Sequence, residues 1–165
     1  MQRIARFEHV SAARFAADWA DAFQTNSTPA LPQLPKRATT GSAGYDFYIP
    51  APLTLAPGET AKIPTGIRAK MENGWVLQLF PRSGLGFKYR VQLNNTVGII
   101  DSDYYYSDNE GHILIKITNA NTEGKTLILQ AGDAFAQGIF LPFGITEDDD
   151  VNEIRNGGFG STNKK

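Results

Sequence analysis

The sequence predicts an all-β fold, a barrel or sandwich of short strands, preceded by one helix. From about residue 45 onward, short apolar runs are separated by Gly, Pro, Asn and Asp, which is typical of many short strands joined by tight turns. Several runs alternate at period two, as in Ile113, Ile115 and Ile117. A four-residue apolar spacing, the signature of a helix, stands out near the N-terminus.

The composition is that of a soluble globular protein of one domain. The chain has 165 residues, a hydrophobic share of 41% and a net charge of −1, so it carries no basic field that would gather nucleic acid. It has no cysteine, which excludes disulfides and thiolate metal sites and fits a reducing cytoplasm. Because we see neither a secretory signal nor a long apolar run, we expect a cytoplasmic protein without a membrane partner. The two histidines are far apart, which argues against a histidine-rich zinc centre.

The N-terminal region predicts a short strand in "RIARFEHV" and then a helix over residues 11–24. Ser11 is a suitable N-cap, and Phe15, Trp19 and Phe23 fall on one face. That face is predicted to pack on the β body, with a partner-binding surface as the alternative. We expect both His9 and His112 to be surface or partly packed residues.

The remaining organisation follows from composition. A loop rich in proline and hydroxyl residues separates the helix from the β region, which continues through "AFAQGIFLPF". The acidic run Glu147–Asp150 is predicted to be a solvated linker. Residues 1–150 are therefore expected to form the domain, and residues 151–165 a flexible C-terminal arm.

"PRSGLG" places Arg82, Ser83 and Gly84 directly after the predicted strand "WVLQLF". A guanidinium, a hydroxyl and an open backbone N–H match phosphate oxygens well. An ordinary surface turn is the alternative.

"LNNTVGIIDSDY" predicts a hairpin whose turn contains Asn94 and Asn95. Asn95 offers both a donor and an acceptor to a flat heterocycle. Asp101 follows the apolar pair Ile99 and Ile100, which makes its carboxylate a candidate general base, with a turn-forming or capping aspartate as the alternative.

Two further stretches carry chemical groups. In "SAGYDF", Asp46 either forms an Asx turn or orients water around a divalent cation. The tail "RNGGFGSTNKK" keeps Phe159 among glycines, with Arg155 on one side and Ser161 and Thr162 on the other. Disordered tails tend to lack aromatic residues, so this one is predicted to contact a ligand.

Taken in order, "AGYD", "PRSGLG", "GIIDSDY", "FAQ" and "GGFGST" resemble the five motifs of the trimeric dUTPases. The resemblance covers about residues 34–162. It implies a jelly-roll-like distorted barrel of the β-clip type, a homotrimer with sites at subunit interfaces, and Mg²⁺-dependent hydrolysis of dUTP to dUMP and diphosphate. The arm would close over bound nucleotide.

The resemblance also implies a role for each matching residue. Asp101 would deprotonate the attacking water, and Tyr104 would lie against the deoxyribose and exclude a ribose hydroxyl. Mg²⁺ would be held mainly by the phosphates and by Asp46 through water, with Gln137 supporting the phosphates or the metal-bound water. The uracil would be bound by Asn95, Ile99, Ile100 and the stacking Phe159. The phosphates would be bound by Arg82, Ser83, Gly84, Arg155, Gly160, Ser161 and Thr162.

The chain departs from the family pattern in four places. An insertion, Tyr105–Glu110, lengthens the third motif and is predicted to be a longer hairpin loop near the pocket mouth. Ala134 and Phe135 stand where the fourth motif usually has Arg and Ile. The tail is one residue shorter than usual, and the N-terminal helix is longer.

Two alternative functions remain open at this stage. A deaminase acting on dCTP shares the fold but would need a glutamate in its pocket. A regulatory binding protein would use the insertion or the helix to engage a partner. Diphosphate release from each deoxynucleotide in turn would distinguish these alternatives.

Overall fold

The computed structural model describes residues 2–153 and 155. It contains twelve short strands, two α-helices and one 3₁₀ helix. The strands are β1 (Ala5–His9), β2 (Lys36–Arg37), β3 (Tyr45–Tyr48), β4 (Leu53–Leu55), β5 (Thr60–Pro64), β6 (Ile67–Met71), β7 (Trp75–Pro81), β8 (Val91–Leu93), β9 (Gly98–Ile100), β10 (Leu114–Asn119), β11 (Leu127–Leu129) and β12 (Ala134–Pro142). The helices are α1 (Ala12–Phe23), α2 (Ser83–Tyr89) and the 3₁₀ helix Ser102–Tyr106.

The strands form four small antiparallel sheets. The largest has the order β2-β3-β12-β7-β9, and the others are β5-β10-β8, β1-β6 and β11-β4. Neighbours in the sheets are often distant in sequence, as in a jelly-roll arrangement. The predicted all-β class is confirmed.

One core joins the sheets. The period-two residues Ile113, Ile115 and Ile117 are all buried, as their alternation predicts. Gly138 on β12 lies between strands β3 and β7, and side chains of both strands pack closely over it. A Cβ there would lie 2.8 Å from Leu77 Cδ1 and 3.0 Å from Phe47 Cε2, so only glycine fits without displacing the core.

Helix α1 follows its sequence prediction. The Ser11 hydroxyl accepts the Arg14 backbone N–H at 3.1 Å, which is N-cap geometry. Phe15 and Trp19 are buried with Val10, and Phe23 packs against them. The prediction that this face of α1 is buried within the chain is thus confirmed.

Four local expectations were wrong. A second helix, α2, exists; its sequence "SGLGFKY" is short and has two glycines, and its Leu85 and Tyr89 are only partly buried against the core, so its helical pattern was weak. The Asn94–Asn95 turn joins strands of different sheets, because β8 pairs with β10 and β9 with β7. The insertion after Tyr104 is no hairpin loop: its start continues a 3₁₀ helix, and its end folds onto α1.

His112 is the fourth correction. It is fully buried rather than a surface or partly packed residue, because Asp18, 94 residues away, and the Gly66 N–H satisfy both of its ring nitrogens. His9 is exposed, as expected, with its Nε2 2.8 Å from the Pro32 carbonyl oxygen.

Within residues 2–153 and 155, no helix is long and apolar enough to cross a membrane.

Candidate active site

A first cluster lies on the five-stranded sheet, where three sequence motifs meet. The backbone registers place Lys36 and Gln137 on either side of Asp46, and Phe80 beyond Gln137. Residues opposite each other in a sheet project from the same face. One row of side chains therefore carries a cation, a carboxylate and an amide.

Arg82 joins this row from the end of β7. Its Nε lies 3.1 Å from Asp46 Oδ1, and the exposed fractions of the two side chains are 42% and 17%. Gln137 Nε2 donates to the Pro81 carbonyl oxygen at 3.0 Å, which fixes the amide beside the start of the "PRSGLG" turn. The structure thus brings Asp46, Arg82 and Gln137 together at one end of β7.

Ser83 and Gly84 follow as the first residues of α2, and both are exposed. No atom lies within 4 Å of the place where a Cβ would project from Gly84. Their hydroxyl and backbone groups are therefore open to a ligand. We call Lys36, Asp46, Arg82, Ser83, Gly84 and Gln137 the polar row.

Sequence reasoning missed two members of this neighbourhood. Lys36 is placed opposite Asp46 by the pairing of β2 with β3, which the sequence did not reveal. Tyr48 is the register partner of Ala134, the position of the missing fourth-motif arginine. Burial, and next the charge of Asp46, raise the pKa of Tyr48, whereas Arg82 lowers it. A local alternation of "YDFY" was the only signal that Asp46 and Tyr48 share a face.

A second cluster follows β9. Asp101 comes directly after this strand, and its side chain is 44% exposed. Arg155 Nη2 donates to Asp101 Oδ2, and Arg155 Nε donates to Asp103 Oδ1 at 2.8 Å. In the chain as described, the arginine of the arm thus covers the two carboxylates. Nothing in the spacing of the sequence signalled that Asp103 would share this contact.

Tyr104 lies beneath Asp101 and is almost fully buried, with 6% exposure. Its hydroxyl donates to the His112 carbonyl oxygen at 2.8 Å and accepts from Asn109 Nδ2 at 2.8 Å. Burial raises the pKa of Tyr104, so the hydroxyl stays protonated at neutral pH.

The remaining predicted base-binding residues are at the surface. Ile99 is 53% exposed although it belongs to β9, and Ile100 is half-buried. Asn95 is exposed in the turn between β8 and β9, next to Thr96, whose φ is 67°. Phe159, Gly160, Ser161 and Thr162 lie outside the described residues.

The two clusters are far apart within one chain. In the antiparallel register Ile100 is opposite Leu77, so Asp101 lies near Val76, at the start of β7. Arg82 follows the other end of that strand. At about 3.4 Å per residue, the backbones of Asp101 and Arg82 are separated by roughly 20 Å.

The residues of the polar row could bind a metal ion only together with other ligands, such as water or phosphate. Among the described residues, no group of three or more His, Cys, Asp or Glu side chains could hold one. Asp46 provides a single carboxylate, already paired with Arg82. This suits Mg²⁺, which retains several waters and commonly binds through substrate phosphates.

The fold and these clusters define an all-β protein with a phosphate-compatible polar row and a separate exposed carboxylate. The dUTPase family model matches residues 32–164, and the chain belongs to the dUTPase family.

Individual relatives agree. The deoxyuridine 5'-triphosphate nucleotidohydrolase of Lactococcus lactis is 42% identical over 132 residues, covering 78% of this chain and 87% of the relative. That of Paraburkholderia phymatum is 41% identical over 140 residues, covering 80% and 90%.

Solved structures show the same fold. The dUTPase of Streptococcus mutans superposes with a TM-score of 0.64 at 34% identity, covering 86% of this chain and 98% of that one. A dUTPase from phage phi11 of S. aureus gives a TM-score of 0.64 at 21% identity, covering 92% and 98%, and is described as coordinating a structural Mg(II) ion. At that identity the likeness concerns the fold alone.

Proposed function

We propose that this protein hydrolyses dUTP to dUMP and diphosphate, which lowers dUTP and supplies dUMP for thymidylate synthesis. The observation that carries the proposal is that a chain of the dUTPase family has both an exposed carboxylate, Asp101, and a polar row suited to phosphate. The names of its relatives state the same reaction.

In this proposal Asp101 is the general base. Its carboxylate orients a water molecule and accepts its proton as the water attacks the α-phosphorus and the diphosphate leaves. Arg82 and Arg155 neutralise charge that develops on the phosphate chain, and the Ser83 hydroxyl and Gly84 N–H donate to its oxygens. Arg155 must leave Asp101 when substrate enters, and the phosphate oxygens offer it a new partner.

Recognition of the nucleoside falls to the turn and strand before Asp101. Asn95 and the neighbouring backbone bind the uracil edge, and the exposed Ile99 together with Ile100 supplies an apolar wall. Tyr104 lies against the sugar and leaves no room for a 2′-hydroxyl. Phe159 stacks on the base from the arm, and Gly160, Ser161 and Thr162 bind phosphate.

Mg²⁺ bound to the triphosphate supplies additional charge neutralisation on the phosphate oxygens. Asp46 would hold it through water, and Gln137 would support that water or the phosphates. The single carboxylate of the polar row is consistent with this indirect mode.

The distance between the clusters supports an active site shared by two chains. A triphosphate chain spans less than the roughly 20 Å that separates Asp101 from Arg82 along β7. This separation favours a substrate that lies between the base of one chain and the polar row of another. A closed oligomer solves this by pairing Asp101 of one copy with Arg82 of the next, and we propose a homotrimer with interfacial sites.

The direct test is diphosphate release from each of dUTP, dTTP, dCTP, dATP and UTP by the purified full chain with Mg²⁺. We expect turnover of dUTP alone. Ammonia release from dCTP would instead indicate the deaminase alternative. Absence of turnover on every nucleotide would overturn the proposal and leave a binding role.

A further inference from the structure

Two features that set this chain apart from the family pattern contact each other. The family match starts at residue 32, so β1 and α1 precede it. The insertion Tyr105–Glu110 lengthens the motif that contains Asp101. Residues 105–112 pack on β1 and α1, and we call these three parts together the N-terminal clasp.

The first contact joins the insertion to the start of α1. Glu110 accepts the Ser11 backbone N–H and the Ser11 hydroxyl, both at 2.7 Å. These two hydrogen bonds lower the pKa of Glu110, so its carboxylate stays charged at neutral pH. Because a negative charge at a helix N-terminus is favourable, Glu110 caps α1 from 99 residues away.

The second contact is the buried ring of His112. Its Nε2 accepts the Gly66 backbone N–H at 2.8 Å, and its Nδ1 lies 2.5 Å from Asp18 Oδ2 on α1. A backbone amide can only donate, so Nε2 carries no proton and the Nδ1 proton is donated to Asp18. The ring orientation is thereby fixed by α1 on one side and by the start of β6 on the other.

The third contact lies on β1. The Tyr105 hydroxyl donates to Glu8 at 2.6 Å, and the Arg68 guanidinium carbon lies 4.4 Å from the centre of the Tyr105 ring. Gly111 lets the insertion turn back tightly. Its φ is +69°, and a Cβ would lie only 2.6 Å from Tyr105 Cα.

Residues 105–112 in turn fix the position of Tyr104. Both partners of the Tyr104 hydroxyl, the Asn109 amide and the His112 carbonyl, belong to this segment. Asn109 is itself held, since its Oδ1 accepts the Gly111 N–H at 3.1 Å. The Tyr104 N–H donates to the Asp101 carbonyl at 3.2 Å, so the position of Tyr104 is coupled to the backbone of the candidate base.

We propose that the N-terminal clasp is a specificity device: α1 and the insertion fix the Tyr104 ring, and with it discrimination between deoxyribose and ribose. Asn109, Asp18 and His112 are positioning residues, which act through Tyr104 without touching substrate. This inference rests on the proposed function, because it assigns a role in selecting the sugar of that substrate.

The test compares Asp18→Ala and Asn109→Ala with Asp21→Ala in the full chain. Asp21 lies on the same helix, but it pairs with Lys62 on β5 at 2.7 Å, away from the insertion. We expect the ratio of kcat/KM for dUTP to that for UTP to fall about tenfold in the first two variants, the effect of losing one hydrogen bond. The Asp21→Ala control should keep the wild-type ratio. Asp18→Asn should restore it, since the amide oxygen still accepts from His112.

Thermal unfolding separates positioning from simple stabilisation. If Asp18→Ala and Asn109→Ala lower Tm but keep the wild-type dUTP-to-UTP ratio, the clasp is only structural and the proposal is overturned. Asn109→Ala changes a partly exposed loop residue, so it decides the matter even if Asp18→Ala does not fold.

Amide hydrogen exchange keeps this test separate from the proposed activity. Wild-type protein that fails to hydrolyse dUTP would refute the proposed function and the role in sugar selection, but not the fixation of Tyr104. Faster exchange at residues 102–106 in Asp18→Ala than in Asp21→Ala would still support fixation of Tyr104 by the clasp. Equal exchange in the two variants would overturn it.

Discussion

Replacing His112 with Gln should flatten the dependence of stability on pH. Burial is the main cause that lowers the pKa of His112 below its ordinary value of 6.5, and it outweighs the opposing effect of Asp18. The folded chain therefore disfavours the protonated ring, whereas the unfolded chain accepts a proton near pH 6.5. Stability from the neutral ring is fully present above pH 6.5 and is lost as the pH falls below it.

The size of this loss of stability follows from the binding of one proton to the unfolded chain. If the folded ring stays neutral at pH 5.5, the unfolded state gains about 1.4 kcal/mol from protonation at that pH and almost nothing at pH 7.5. This value is an upper limit per chain. For a domain of this size it corresponds to a fall in Tm of about 3–5 °C. Gln can accept from Gly66 and donate to Asp18, so the variant should fold while losing the titration.

The assay is urea unfolding of wild type and His112→Gln at pH 5.5, 6.5 and 7.5, at one protein concentration. His9→Gln removes the other histidine, at an exposed position, and should keep the wild-type slope because His112 is intact. If His112→Gln loses as much stability between pH 7.5 and 5.5 as wild type does, the buried neutral ring is not the source of the pH dependence.

Three further predictions concern the active site. Asp101→Asn should bind dUTP but lower kcat at least about 10²-fold, because an amide accepts no proton; near-normal turnover would remove Asp101 as the base. Arg82→Ala should weaken binding of dUTP more than of deoxyuridine, measured by calorimetry, because it removes a phosphate ligand; an equal effect on both would place Arg82 elsewhere. Deleting the chain from Arg155 onward should leave a folded oligomer by light scattering but abolish most turnover, and full activity of the truncated protein would exclude the arm from catalysis.

The regular elements could be predicted where local patterns decide them. Ser11 and the spacing of Phe15 and Trp19 specify α1, and alternating isoleucines specify β10. Helix α2 is short and contains two glycines, and its Leu85 and Tyr89 pack only partly against the core, so its sequence pattern is weak. His112 looked like an ordinary polar residue, because its burial depends on partners 94 and 46 residues away.

In the candidate site, too, local motifs could be interpreted from the sequence, whereas contacts between distant segments could not. Their motifs made Asp46, Arg82 and Gln137 candidate site residues, but Lys36 joins them only because β2 pairs with β3. The separation of Asp101 from Arg82 depends on the register of β9 on β7, which a single sequence does not reveal. The contact between the insertion and α1 could not be predicted either. Both segments depart from the family pattern, and the sequence does not show that they meet.

The central claim, a dUTP-hydrolysing site shared between chains, is tested most directly by complementation. Asp101→Asn and Arg82→Ala proteins are each prepared, mixed in equal amounts, unfolded, refolded together and assayed for diphosphate release from dUTP. If Asp101 of one chain works with Arg82 of the next, about a quarter of the sites in randomly mixed oligomers have both residues intact, and the mixture regains roughly a quarter of wild-type activity. A mixture no more active than its two separately refolded components would contradict the shared site.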